Sequence, residues 1–475
     1  PTELAGIAFL EKHNTEAKRL LHRARHLRSA DPYVSEFLGT LYLLDGNAEA
    51  ALALWNPIGK PVLADAPADT GLNGILRTSL ASDAVAFASG RILTRNSMLR
   101  AERVTALLGV CGSSRMLLEL AGDDRYHAHI QCVERPALGR NRVASLLMLA
   151  RGLGYQTLHI QMPNIGRRAW SWNSMLRWDA RKRRVWMETA MPFAGRAGWR
   201  VRVDGDARHE YWQALDAESR RVDQSFLYRR AEAGFAISAV LGSKTTWANR
   251  LSLANRSFAD ATMRTPSAKD ETSLLPSGTS VRYAHLIESD IYRNPLRRIV
   301  ATASANGSFE RYLAVASNVV RAEGSLTLAW SPAASSEDGR TSLRVAAGTL
   351  RGRPALPELF SIGMERDCTV PLRGHIGTSH GHKGSALYGD RYLAANLEVR
   401  KTLIRMGIVT LSVAPFLDAA WVRDPNHRFG ARKIQYDAGL QWIASTPGGT
   451  EIRLSYAWDL RNQRQSFYAY SEPYP

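Results

Sequence analysis

The sequence predicts a multidomain chain with N-terminal α-helical repeats, a small α+β module and a C-terminal transmembrane antiparallel β-barrel of about 16 strands. Three observations predict it. The chain has 475 residues, more than the roughly 100–200 that one domain usually holds. Its hydrophobic period switches from helical spacing to strict alternation after about Gly139. Beyond that point apolar residues alternate with full charges of both signs, in runs of about nine to twelve residues, the length of a tilted bilayer-crossing strand.

Residues 1–70 read as helices. Ala17, Leu20, Leu21, Ala24 and Leu27 share a face at helical spacing. Asp31-Pro32 starts a second helix, with the carboxylate as cap and proline in the first turn. Phe37, Leu38, Leu41 and Leu44 form its apolar stripe. Asp45-Gly46-Asn47 breaks it, a third helix carries Ala50, Ala51, Leu54 and Trp55, and Pro57 ends that one. Helix, Gly turn, helix and proline is the order of a tetratricopeptide repeat, which Gly39, Tyr42, Ala50 and Pro57 resemble. A plain helical hairpin is the alternative.

Residues 73–136 read as α+β. Asp83 to Ala88 is expected as a short strand and Thr94 to Leu108 as a helix. Arg115–Leu120 and Tyr126–Val133 alternate like paired strands around Gly122-Asp123-Asp124.

Residues 139–475 alternate run after run. Leu411, Val413, Pro415, Leu417, Ala419 and Trp421 share one face, with Thr410, Ser412 and Asp418 on the other. Leu393, Ala395, Leu397 and Val399 oppose Asn396, Glu398 and Arg400. Ile452, Leu454, Tyr456 and Trp458 oppose Glu451, Arg453 and Asp459. Trp199, Val201 and Val203 oppose Arg200 and Arg202, and Val185 and Met187 oppose Arg184 and Glu188. A large soluble β-domain could turn such charged faces to water; a membrane barrel turns them to a wet lumen and the apolar faces to lipid, which the run lengths favour. Trp170, Trp421, Tyr392 and Tyr436 near run ends fit interfacial belts.

Composition is 45% hydrophobic and 22% charged, which excludes a disordered chain. A net charge of +18 points to nucleic acid, acidic lipid or an acidic partner, but no nucleic-acid module accompanies it. Val143–Ala150 and Ile408–Leu417 are too short for spanning helices. Pro1-Thr2-Glu3 has no basic n-region, so no signal peptide is expected. Cys111, Cys132 and Cys368 form no C-x-x-C pair, so structural zinc is not expected. Three unpaired thiols are the main expectation and a Cys111–Cys132 bridge the alternative. No nucleophile elbow, Walker loop, dinucleotide fingerprint or zincin helix is present. The chain is therefore expected not to be an enzyme and to need no cofactor. His375, His380 and His382 tempt a metal reading, but no carboxylate or thiol cluster adjoins them in sequence, so a solvated loop without metal is expected.

An ordered set of segments narrows the third region. Pro357-Glu358-Leu359-Phe360-Ser361-Ile362-Gly363 precedes Pro371-Leu372-Arg373-Gly374-His375. A Gly/His-rich loop leads to Gly389-Asp390-Arg391-Tyr392 and Asn396-Leu397-Glu398-Val399-Arg400. Pro415-Phe416-Leu417-Asp418-Ala419-Ala420 follows, then Thr446-Pro447-Gly448-Gly449 and Ile452–Arg461. This set resembles the barrel of the BamA / two-partner-secretion transporter superfamily, whose inward loop carries Arg-Gly-aromatic and a nearby strand Phe-x-Asp-x-Gly. Here His375 replaces the aromatic, Ala420 replaces the glycine, and Tyr470 or Tyr474 would serve as the terminal aromatic. Residues 73–136 resemble one POTRA module, the family's periplasmic unit.

The resemblance implies an outer-membrane barrel, with its N-terminal region periplasmic, that inserts or translocates polypeptides. Unfolded or nascent outer-membrane or secreted proteins would be its clients. The bilayer with its anionic lipids, and periplasmic or lipoprotein subunits met through the helices, would be further partners; nucleic acid would not. It also implies a tether in the lumen, Arg373, Gly374 and His375 to Asp418, with Asn396, Glu398, Arg400 and Phe416 as lumen neighbours. An Arg guanidinium forks onto a carboxylate through two charge-assisted hydrogen bonds. The alternative is an outer-membrane export porin or surface-protein translocator with a helical-repeat periplasmic domain.

Overall fold

The computed structural model describes residues 1–28, 31–64, 71–122, 124–138, 145–146, 149, 152–153, 156–216, 221–263, 277–313, 317–332, 339–365, 368–407, 409–424, 429–446 and 450–473. Asp123, most of the Val143–Ala150 run, Ile408, Pro447–Gly449 and Tyr474 lie outside the described residues.

The chain opens with α1 (Thr2–Leu10), α2 (Asn14–Leu27), α3 (Pro32–Leu44) and α4 (Ala48–Trp55). The Asp31 carboxylate accepts from the Tyr33 and Val34 N–H groups and so satisfies two free donors at the start of α3. Gly39 lets α3 and α4 close up, since a Cβ there would lie 2.2 Å from the Trp55 ring nitrogen. That nitrogen donates to the Glu36 carbonyl at 3.0 Å. Helix α1 carries no polar stripe: Leu4, Ile7 and Leu10 are exposed while Ala5 and Ala8 are buried. It therefore shows none of the amphipathic periodicity by which its neighbours are recognised.

Next come β1 (Val62–Leu63), α5 (Thr78–Val85), α6 (Arg95–Leu108), β2 (Cys111–Gly122) and β3 (Arg125–Glu134), with sheet order β1-β3-β2. Val62 and Leu63 run parallel to Arg125 and Tyr126, so this stretch joins the sheet rather than the helices. The strand expected over Asp83–Ala88 is not formed. Thr78–Val85 is a helix that buries Leu80, Ala81, Ala84 and Val85 on one face and ends at Ala86, φ 49°. The short run hid that period because its helix begins five residues upstream. The β2–β3 pairing brings the Cα atoms of Cys111 and Cys132 to 5.5 Å, and the two are joined in a disulfide. This corrects the expectation of three thiols; Cys368 takes no part in a disulfide.

The rest is a closed antiparallel barrel. Its first ten strands are β4 (Thr157–Ile165), β5 (Trp170–Trp178), β6 (Lys182–Phe193), β7 (Arg196–Leu215), β8 (Val222–Leu241), β9 (Thr245–Met263), β10 (Gly278–Asn294), β11 (Ile299–Tyr312), β12 (Ser317–Trp330) and β13 (Gly339–Gly352). A long connection follows, carrying β14 (Phe360–Ile362), β15 (Thr378–Ser379), β16 (His382–Lys383) and β17 (Leu387–Gly389). The last five strands are β18 (Arg391–Met406), β19 (Val409–Arg423), β20 (Ala431–Ser445), β21 (Thr450–Asp459) and β22 (Arg464–Pro473). Among the described residues the wall thus has fifteen long strands.

Side chains alternate across this wall. On β19 Ser412, Ala414, Phe416, Asp418, Ala420 and Val422 are buried inward, while Pro415 and Leu417 are exposed outward. On β12 Val320, Leu326, Leu328 and Trp330 are exposed outward. Trp170 and Tyr436 are exposed on the outer face, as are Trp178, Trp442 and Trp458. Tyr392 is not part of such a belt: it points inward, is buried, and donates to Glu323 at 3.3 Å. Its parity on β18 matches Asn396 rather than Leu393, which decides its face.

The helical and α+β regions seat on one end of the barrel. Arg200 of β7 donates to the Leu107 carbonyl at 2.6 Å at the C-terminus of α6, where orphan carbonyls need donors. Asp83 accepts from the Ala197 N–H at 2.6 Å. Arg103 pairs with Asp290 at 2.7 Å, and Glu49 pairs with Arg95 at 2.7 Å and with Arg293 at 2.8 Å. Ala169, Ala197 and Val240, beside barrel turns, join the apolar core of this end.

Candidate functional site

The connection from β13 to β18 enters the barrel and crosses its interior. Its residue Arg373 is 5% exposed and Asp418, on the inward face of β19, is 0% exposed. The Arg373 Nε donates to Asp418 Oδ2 at 2.9 Å and Nη2 donates to Oδ1 at 2.8 Å, a forked pair. The Arg373 backbone N–H adds a third bond to Asp418 at 3.1 Å. Nη1 donates to Glu398 at 2.7 Å and to Gln441 at 3.2 Å. The guanidinium lies 3.8 Å from the centroid of the Phe416 ring. Asn396 donates to Asp418 at 2.9 Å and to the Pro371 carbonyl at 2.8 Å, so it holds strand and loop together.

Such an arrangement is costly to build and costly to break. Removing a carboxylate and a guanidinium from water costs several kcal/mol per ion, which only close, fully hydrogen-bonded geometry offsets. Asp418 receives four donated bonds and Arg373 has acceptors on three strands, so neither charge is stranded.

The next two residues bind the neighbouring strands. The Gly374 N–H donates to Asp437 of β20. A Cβ at Gly374 would lie 2.6 Å from that carboxyl carbon, so the close approach requires glycine. His375 is buried, with Nδ1 3.2 Å from Asp437 and Nε2 3.4 Å from Asp459 of β21. The solvated loop expected there is instead packed inside the barrel; only His380 keeps an exposed position. The metal-ligating atoms of His375, Asp437 and Asp459 lie within 4.8 Å of one another. The two carboxylates face opposite nitrogens of one ring, each within ion-pair distance of it. The trio reads as an imidazole bridging two acids.

Arg400 stands apart from Arg373. It donates to Glu451 at 2.7 Å, which also accepts from Arg453 at 2.8 Å. Arg453 in turn approaches Glu398 at 3.7 Å, so the two groups join through a chain of alternating charge.

Two further anchors escaped sequence reasoning. Glu358 of the loop pairs with fully buried Arg256 of β9, which also binds Glu310 and donates to Tyr312 at 2.6 Å. Lys383 pairs with Glu210 of β7 at 3.0 Å, close to the Trp212 ring. The inward parity of Arg256, Glu310 and Glu210 was readable strand by strand. The loop partners of Arg256 and Glu210, more than a hundred residues away, left no local spacing to read. Together the anchors strap the loop to opposite walls of the lumen.

No family model and no curated protein matches the chain. Solved structures do match. "CdiB from Escherichia coli" aligns with a TM-score of 0.52 at 10% identity, over 84% of this chain and 74% of that one. BamA from Haemophilus ducreyi lacking POTRA domains 1-3 aligns with a TM-score of 0.47 at 14% identity, over 84% of this chain and 82% of that one. CdiB from Acinetobacter baumannii gives 0.48 at 10% identity, over 86% and 72%. At these identities the first of them shows a shared barrel fold.

Proposed function

We propose that the chain is a non-enzymatic outer-membrane barrel that assembles, inserts or translocates polypeptides, with its helical and α+β regions on the periplasmic side. The strapped lumen loop carries this reading. A passive pore needs an open lumen, whereas here Arg373, His375, Glu358 and Lys383 each bury a charge or a polar ring to keep a loop inside. A plug so anchored suits a barrel whose passage is controlled.

Three other features support the reading. The outer face is apolar at wall positions such as Leu251, Leu326, Leu417 and Leu454, as a lipid-facing surface demands. The β-α-α-β-β module is POTRA-like and leaves β2, twelve residues long, on the edge of its sheet. An edge strand accepts an extended client by β-augmentation. The Cys111–Cys132 bond suits an oxidising compartment. The two helical hairpins would recruit a partner or client segment. The division into residues 1–70, 73–136 and 139–475 belongs to this reading, with Val62–Leu63 assigned to the module.

The test has two parts. A membrane barrel resists detergent until heated, so boiled and unboiled samples should migrate differently; identical migration sinks the membrane assignment. Depletion from cells should lower several outer-membrane proteins together. Loss of one exported product alone would make the protein a dedicated exporter instead.

A further inference from the structure

The outer face of β6, β7 and β8 carries a row of basic side chains that the tether does not use. Register sets Arg183 of β6 beside His209 of β7, and His209 beside Arg229 of β8. Parity turns all three outward. The acids on either side of His209 in sequence parity, Asp206 and Glu210, are buried on the lumen face. Arg183 and Arg229 are exposed. Among the described residues neither arginine forms an ion pair or a side-chain hydrogen bond, and the buried Nε2 of His209 has no partner.

The depth of the row is informative. The helical and α+β regions meet the opposite ends of these strands, where the Asp83 carboxylate accepts from the Ala197 N–H. His209 lies twelve residues further along β7. At about 3.3 Å per residue and a tilt of about 40° that is roughly 30 Å of height, the thickness of a hydrocarbon core. The outward rows in between hold no charge: Val185, Ala207 and Ala231 come first, then Met187, Gly205 and Ala233, then Thr189, Val203 and Phe235. Trp178, paired with Arg183, and Tyr211, the next outward residue after His209, are both exposed. Outward Trp and Tyr mark the level of the head groups. The cations therefore stand where the apolar outer face stops. The two rows beneath them are small at their centre, and Ala207, Ala231, Gly205 and Ala233 leave a shallow apolar trough that leads up to the arginines.

We propose that this row binds the phosphate head group of an anionic lipid in the leaflet away from the helices, with an acyl chain lying in the trough below. Neighbouring strands stand about 4.8 Å apart, so the two arginines, two strands apart, can close on one phosphate over the His209 ring. Guanidinium forks onto phosphate oxygens, and basic residues at a membrane surface draw anionic lipid. A lipid held there would fix the depth at which this side of the wall sits in the bilayer. The proposal rests on the membrane reading above.

The test uses the full chain in a neutral detergent. Native mass spectrometry with added phosphorylated lipid A should show an adduct that survives activation which strips the same lipid freed of its phosphates. Arg183→Glu with Arg229→Glu should cut retention of the phosphorylated lipid by about tenfold or more, while heat-shifted migration on gels persists. Arg229→Gln alone should give a smaller loss and serves if the double variant does not fold. Equal retention of the two lipids, or no loss in a folded variant, overturns the site. Complete displacement by inorganic phosphate assigns it to a free anion and overturns the lipid. A wild-type chain without heat-shifted migration removes the membrane reading, and the lipid site falls with it.

Discussion

At the residue scale the tether is a lesson in desolvated charge. Asp418 is fully buried and its charge is met by the Arg373 fork, the Arg373 N–H and Asn396. Arg373→Ala leaves that carboxylate without its counter-ion, which costs about 3–5 kcal/mol in a buried pair. Arg373→Lys keeps the charge but loses the fork, so its loss should be smaller. Urea unfolding of the purified barrel measures both; an Arg373→Ala variant as stable as wild type would show that the pair holds nothing. The Arg373–Asp418 pairing was legible because both residues sit in recognisable segments and strand parity turns Asp418 inward. The His375 bridge was not legible. Its acids lie on β20 and β21, 62 and 84 residues further along the chain, and nothing local marks them as its partners.

At the element scale the docking of α6 onto the barrel rim should respond to pH. Burial pushes the Glu102 carboxyl from 4.5 up to about 7, with Arg293 opposing and Glu49 adding to the rise. A raised carboxyl pKa means the folded state prefers the proton. The resulting stability is fully present below the unfolded value and is lost as pH rises through the folded one. Amide exchange of α6 should therefore quicken between about pH 4.5 and 7, after correction for intrinsic rates, and Glu102→Gln should remove that component. An unchanged profile in the Gln variant would show that Glu102 does not set it. Element type was legible wherever a long run kept one period, as in α2, α6 and most barrel strands. The helical reading of residues 1–70 covered α1 without setting it apart as an element, since it lacks a polar stripe, and the type was missed at Asp83–Ala88, where the run was too short to separate the two periods. The Cys111–Cys132 bond, which closes a loop of about twenty residues and adds roughly 3 kcal/mol on chain-entropy grounds, needed the β2–β3 register to be seen.

At the scale of the whole molecule the wall separates a charged interior from an apolar outer face. Leu417 is 47% exposed on the outer face and Asp418 beside it is 0% exposed. Leu417→Arg near mid-strand should cost about 2–4 kcal/mol if that face meets lipid. On a protein whose outer face meets water it should cost almost nothing. Folding the variant into vesicles and titrating with urea distinguishes the two. The charge of +18 also acquires a place. Many arginines are spent on lumen carboxylates, as Arg184 on Asp206 and Arg250 on Asp204 and Glu232. Others line the rim, where Arg297 and Arg298 stand. Alternation along each run was enough to read strands with one charged and one apolar face, because the two-residue period of a strand is a local property of the chain; that the sheet closes into a barrel is seen in the strand order. Which lumen charges meet, which loop fills the interior and how the helices seat on the rim were decided only by the closed fold. Those contacts join residues tens to hundreds of positions apart, and strand order and register alone bring them within bonding distance.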